Sequence, residues 1–211
     1  MNKVARHAKI ADFLRAPDKE RIKKMKIKKL NKDAVIPKRE HDDDAGYDLV
    51  AINYGNIKVV STAMDKNVWR MLYIEYKTGL GIEPPVGYHI EIVARSSVSK
   101  TDLILANCTA IGDQGYRGEY RLRFKCPIMA NKEFWAENEE KAVRAFEGSF
   151  SISGIKKYNA GDKIGQMLIR KTEIMDIQEV DELSDTVRGN GGFGSTDVPL
   201  ISGNPVNYRE F

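Results

Sequence analysis

With 211 residues, 42% of them hydrophobic, the chain can bury a sizeable core and has room for one domain with additions or two small ones. A formal net charge of +4 suits an anionic ligand but does not by itself argue for nucleic-acid binding, and most lysines read as solvated surface. The scattered histidines (His7, His41, His89) and the two cysteines without ligand spacing (Cys108, Cys126) argue against a zinc site, and point to a reduced, cytoplasmic compartment. No apolar run is long enough to span a membrane, and none forms a signal-peptide core.

Residues 1–24 differ in character from the rest. Ala5–Arg15 places Ile10, Phe13 and Leu14 on one helical face until Pro17 ends it, and a charged stretch from Lys19 to Lys24 follows. This extension reads as a basic arm, either solvated or binding a partner. A compact domain is expected over 25–183. Its short Ile-, Val-, Tyr- and Leu-rich runs alternate with Gly, Pro, Asn and Asp, as in an all-β protein. Strands are expected at Asn56–Ser61, Met71–Tyr76, Tyr88–Val93, Tyr120–Cys126, Phe150–Ile155 and Gln166–Arg170, building a β-sandwich or jelly roll. Asn131–Phe146 breaks the period of two. Phe134, Trp135, Ala142, Val143 and Phe146 fall at helical spacing among Glu and Lys residues, so a short helix inserted at about 131–147 is expected. Residues 184–211 form a glycine-rich tail, and no internal repeat is visible.

Five short motifs carry chemistry, each ambiguous alone. In Asp44-Ala-Gly-Tyr-Asp48-Leu, a turn leads into a strand from which Asp48 projects; it suits a hard cation through water, or simply solvent. In Ala94-Arg95-Ser96-Ser97, a guanidinium beside two hydroxyls suits a phosphate chain, or an exposed polar turn. Ala106-Asn107 through Gly118-Glu119 reads as a hairpin running into a glycine-flanked turn. Its Asn107 amide matches a pyrimidine edge, Asp113 is a candidate general base, and Tyr116 offers an aromatic face to a sugar. In Gly161-Asp-Lys-Ile-Gly-Gln166-Met, Gln166 could donate to a phosphate or to local backbone. In Arg188-Gly-Asn-Gly-Gly-Phe193-Gly194-Ser195-Thr196, flexible backbone can approach phosphate closely, although the Lys-Ser/Thr ending of a Walker loop is absent.

In this order the five motifs resemble those of the homotrimeric dUTPase family, over Met25 to about Thr196. The resemblance implies a distorted β jelly roll, assembled as a homotrimer with shared active sites, that hydrolyses dUTP to dUMP and pyrophosphate with Mg²⁺. It implies that Asp113 activates the attacking water and that Asn107, with the backbone at Ile111 and Gly112, reads uracil. Tyr116 would pack under the deoxyribose. Arg95, Ser96, Ser97, Arg121 and Gln166 would contact substrate, and Asp48 would hold water ligands of Mg²⁺. Arg188, Phe193, Gly194, Ser195 and Thr196 would close over the nucleotide. Two departures stand out. Gly112 occupies a position where the family usually has a β-branched residue, which is expected to loosen the hairpin. The insert and the basic arm are extra, and either could bind a regulatory protein. A dCTP deaminase-like enzyme of the same fold, or a dUTPase scaffold acting as a protein-binding module, are the alternatives.

Overall fold

The computed structural model describes residues 23–62 and 64–191. The chain divides into two units, Met1–Glu173 and Ile174–Phe211. The described part of the first unit holds β1 (Lys26–Lys29), β2 (Tyr47–Val50), β3 (Asn56–Ser61), β4 (Val68–Lys77), β5 (Leu80–Glu83) and β6 (Tyr88–Val93). These are followed by β7 (Ile104–Leu105), β8 (Thr109–Gly112), β9 (Arg121–Lys125), β10 (Glu133–Trp135), helix α1 (Glu139–Ser153) and β11 (Lys163–Lys171). The expected helix Ala5–Arg15 lies outside the described residues.

All strand pairings are antiparallel. One sheet runs β2-β11-β6-β8. A second runs β10-β4-β9-β7, with β3 also on β4, and β1 pairs with β5 in a small third sheet. The ten-residue β4 is long enough for β10 (at Val68–Arg70) and β9 (at Ile74–Lys77) to pair with separate stretches of it. The period of two sets the faces: in β9, Leu122 and Phe124 are buried while Arg121, Arg123 and Lys125 are exposed. Residues of both main sheets join one apolar core, with Ile74, Tyr76, Leu122 and Phe124 from one and Leu49, Ile90, Ile92, Ile164 and Met167 from the other. Tyr76 stands edge-on to Phe124 at 5.7 Å and donates from its hydroxyl to the Tyr158 carbonyl at 3.1 Å, which satisfies its one buried polar group. The all-β expectation holds.

The helix differs in place from the sequence expectation. It spans Glu139–Ser153, so Phe150–Ile155 is not a strand, and Glu133–Trp135 is one. The physical reason lies in its ends. The Asn138 side chain accepts from the Lys141 amide and caps the first turn, and Gly154, at φ 64°, ends the helix in a left-handed conformation. Ala142, Phe146 and Phe150, four residues apart, form its buried face, so the alternation at Phe150 was a helical stripe. Phe134 of β10 meets Phe146 edge-on at 4.7 Å. The segment is thus joined to the core rather than appended to it.

In the second unit, the described residues 174–191 hold no strand or helix, and a turn spans residues 187–190. Gly189 donates to the Thr186 carbonyl and Gly191 to that of Arg188, while the Arg188 Nε donates to the Gly191 carbonyl at 2.8 Å. Ile174, Ile177, Leu183 and Val187 are exposed there. No described helix is long and apolar enough to cross a membrane.

Candidate active site

The third motif does not form a hairpin. β7 pairs with β9 in one sheet, and β8 pairs with β6 in the other, so Ala106-Asn107-Cys108 is a corner between sheets. The Cys108 amide donates to the Leu105 carbonyl, and Cys108 takes φ 54°, a left-handed conformation that sharpens the corner. β8 then carries the chain to Asp113, and a turn closes as the Tyr116 amide donates to the Asp113 carbonyl.

This corner and turn line an open cleft of about 790 Å³. Asn107, Ile111, Gly112, Asp113, Tyr116 and Arg121 all border it, together with Tyr73, Tyr120 and Arg123. The Asp113 side chain is exposed and has no hydrogen-bond partner among the described residues. Tyr116 is half-exposed and is held at its far end, where the hydroxyl donates to the Glu119 carbonyl at 3.0 Å. Gly118 makes that possible, because a Cβ there would lie 2.4 Å from the Tyr116 hydroxyl. Ile111 offers an exposed apolar side chain to the cleft.

Arg121 borders the cleft but is already engaged. Its Nε pairs with Glu119 at 2.8 Å and its Nη1 with Glu75 at 3.3 Å. The Glu119 carboxylate beside it pushes its pKa above the ordinary arginine value. Glu75, 4% exposed, also takes the Arg123 Nε at 2.9 Å, and Arg123 stacks over the Tyr73 ring at 4.6 Å. This buried carboxylate between two arginines stiffens one wall. Sequence reading missed it, since a single Glu in Ile74-Glu75-Tyr76 reads as the exposed residue of a strand.

A second cluster gathers the first, second and fourth motifs, and none of its residues lines the cleft. β11 sets Gln166 opposite Asp48 on β2 and Val93 on β6, which brings the loop after β6 to the same place. Asp48 is 6% exposed. One of its oxygens meets the Arg95 Nε at 2.9 Å and the Gln166 amide at 3.4 Å, and the other meets the Lys163 Nζ at 2.8 Å. Lys163 also reaches Glu40 at 2.7 Å. Hydrogen bonds that Lys163 donates to Asp48 and Glu40 raise its pKa, and Lys163 in turn lowers that of Glu40. Ser96 and Ser97 open a 3₁₀ turn, Ser96–Lys100, beside Arg95. Lys163 stood within the fourth motif, but its link to Asp48 depends on strand register and was not legible in it.

Arg188 belongs to the second unit, and Phe193, Gly194, Ser195 and Thr196 lie outside the described residues. The structure therefore separates the expected site residues into a base-and-ring cleft and a cationic, hydroxyl-bearing cluster.

Fold and cleft together define an all-β protein of jelly-roll type with a polar, partly aromatic binding cleft. No protein-family model matches the chain. A curated deoxyuridine 5'-triphosphate nucleotidohydrolase of Crocosphaera subtropica is 36% identical over 180 residues, covering 82% of this chain and 99% of its own. One from Clostridioides difficile is 34% identical over 173 residues, covering 82% and 96%. Among solved structures, the fold is similar to that of a mutant dUTPase of Staphylococcus bacteriophage 80alpha with dUpNHpp. The TM-score is 0.58 and the identity 23%, over 84% of this chain and 100% of that one. The dUTPase from phage phi11 of S. aureus matches with a TM-score of 0.51 and 21% identity, over 78% and 100%. The chain belongs to the deoxyuridine 5'-triphosphate nucleotidohydrolase family.

Proposed function

We propose that this protein hydrolyses dUTP to dUMP and pyrophosphate by attack of water at the α-phosphorus, in sites shared between the copies of a homotrimer. Family membership supports the reaction. The observation that carries the rest is the separation of the two clusters. The cleft has a free carboxylate at Asp113 and a ring at Tyr116 but lacks Arg95, Ser96, Ser97 and Gln166. A second copy supplying that cluster would complete it.

In that site Asp113 orients water and accepts its proton as the bond to phosphorus forms and pyrophosphate leaves. Asn107 and the backbone at Ile111 and Gly112 pair with the uracil edge. Tyr116 packs beneath the deoxyribose, where a 2'-hydroxyl would collide. Arg95, Ser96, Ser97 and Gln166 hold phosphate oxygens, with the Asp48 carboxylate beside the Arg95 Nε at 2.9 Å. Arg121, already paired with two carboxylates, shapes the wall rather than offering free charge. Arg188, Phe193, Gly194, Ser195 and Thr196 close over the nucleotide.

Among the described residues no three His, Cys, Asp or Glu side chains could hold a metal together, and both Asp48 oxygens face cations. Mg²⁺ would arrive on the triphosphate and keep its waters; Asp48, whose oxygens are taken by Arg95, Gln166 and Lys163, would have to exchange one of these partners to hold them. When bound, the ion would neutralise charge on the phosphates. The extra segment β10–α1 or the N-terminal arm could serve a regulatory protein partner.

The test is pyrophosphate release from dUTP, compared with dTTP, dCTP and UTP. Selective release from dUTP is expected. Ammonia release from dCTP would instead identify a deaminase, and turnover of none would leave a scaffold without this activity.

A further inference from the structure

Gly112 precedes the candidate base and was expected to loosen its surroundings. Gly112 is buried, and the space its missing side chain leaves is filled from below by Tyr120. A Cβ on Gly112 would lie 2.5 Å from the Tyr120 hydroxyl, 2.6 Å from its Cε1 and 3.0 Å from its Cζ. Tyr120 is 4% exposed and its ring stands edge-on to Tyr116, with centroids 5.3 Å apart and planes at 83°. The Tyr120 hydroxyl is buried with no hydrogen-bond partner among the described residues.

We propose that Tyr120 is a positioning residue of the active site: through Gly112 it sets the seat of the β8 end that carries Asp113, and through its ring edge it sets the tilt of the Tyr116 platform.

Three features support this role. The Tyr120 ring fills the space that a Cβ on Gly112 would need, so β8 cannot settle toward it without moving a buried ring. Tyr120 is anchored independently, since its amide donates to the Leu80 carbonyl at 2.9 Å, while its carbonyl accepts from the Thr78 hydroxyl at 2.6 Å. It can therefore act as a fixed stop. A buried hydroxyl without a partner costs about 1–3 kcal/mol. Leucine or phenylalanine would fill the core without that cost, so the hydroxyl's presence calls for a role other than stability. Burial raises the Tyr120 pKa, so the group stays a neutral phenol and adds no charge beside Asp113.

The proposal rests on the dUTPase reading above, and its test separates the two. Gly112→Ala, Tyr120→Leu and the double variant are compared with the unaltered protein for kcat, KM and Tm. Alanine at position 112 collides with the tyrosine and should lower kcat roughly 10- to 100-fold, the scale expected for a misplaced catalytic group, with KM changing less. Leucine at position 120 lacks the three atoms that collide, so the double variant should recover most of that loss and exceed Tyr120→Leu alone. If Gly112→Ala does not fold, the comparison of Tyr120→Leu with the double variant still decides. A double variant no better than Tyr120→Leu, or a Gly112→Ala protein as active as the unaltered one, overturns the proposal. The same cycle read in Tm reports the Gly112–Tyr120 coupling even if dUTP is not the substrate, and additive Tm changes would overturn the contact itself. An unaltered protein that leaves dUTP intact would count against the dUTPase reading alone.

Discussion

Phe146→Ala tests whether the β10–α1 segment is an appendage or part of the core. Phe146 is fully buried on the helix face it shares with Ala142 and Phe150, and it meets Phe134 edge-on at 4.7 Å. Truncating a buried phenylalanine to alanine costs about 3–5 kcal/mol, through lost transfer energy and the cavity left behind. The aromatic pair adds about 0.5–1.5 kcal/mol beyond area, so the upper half of the first range is expected. Domains of this size are stable by about 5–15 kcal/mol, so the loss is a large share of the total. Urea unfolding followed by circular dichroism at one fixed protein concentration measures it, because an oligomer's stability depends on concentration. Trp135→Ala is the matched control: its side chain is 66% exposed, and the change should stay within about 0.5 kcal/mol. If Phe146→Ala costs less than about 1 kcal/mol, or no more than the control, the core role is wrong. Replacing Asn131–Phe146 by a short turn should then leave a folded, active enzyme. The packing predicts instead that this replacement fails to fold, since it removes β10 and half of α1.

Asp113→Asn keeps the shape of the side chain but removes its basicity; turnover of dUTP should fall roughly 10²–10⁴-fold in a steady-state assay while dUTP still binds. Phe193→Ala should lower kcat/KM by the equivalent of about 1–3 kcal/mol, the worth of a base–aromatic stack, with oligomeric mass unchanged; unaltered kinetics would remove Phe193 from the site. Lys163 has a raised pKa in the folded protein, so its contribution to stability is complete below the unfolded lysine value and is lost as pH rises through the folded one. Thermal melts from about pH 10 upward should therefore show a decline that Lys163→Met lacks, and parallel curves would contradict the pairing with Asp48 and Glu40.

The strands were legible where alternation is strict. Asn56–Ser61 and Tyr88–Val93 fall where the sequence places them, because buried positions alternate along each with more accessible ones. The helix was legible as a helix but not in its bounds. Its stripe of Ala142, Phe146 and Phe150 continues past the point where Phe150-Ser-Ile-Ser-Gly-Ile mimics a period of two, and the better signal was Asn138 before Glu139-Glu140, with Gly154 at the far end. The lysine-rich β1 carried no apolar pattern, because it is a strand through its pairing with β5. That Asp113, Tyr116 and Asn107 would border one cleft was legible because a corner and a turn keep them close in sequence. Tyr120, Glu75 and Lys163 were not, since their roles come from partners on other strands.

The most direct test of a shared active site mixes two defective proteins, Asp113→Asn and a truncation after Leu183. Each alone should be nearly inactive, one lacking the base and the other the closing tail. After joint unfolding and refolding, mixed trimers identified by native mass measurement should contain sites that combine an intact Asp113 from the truncated chain with an intact tail from the other chain. Pyrophosphate release from dUTP should then reappear. If mixed trimers form and remain as inactive as their parents, base and tail come from one chain, and the shared-site account is wrong.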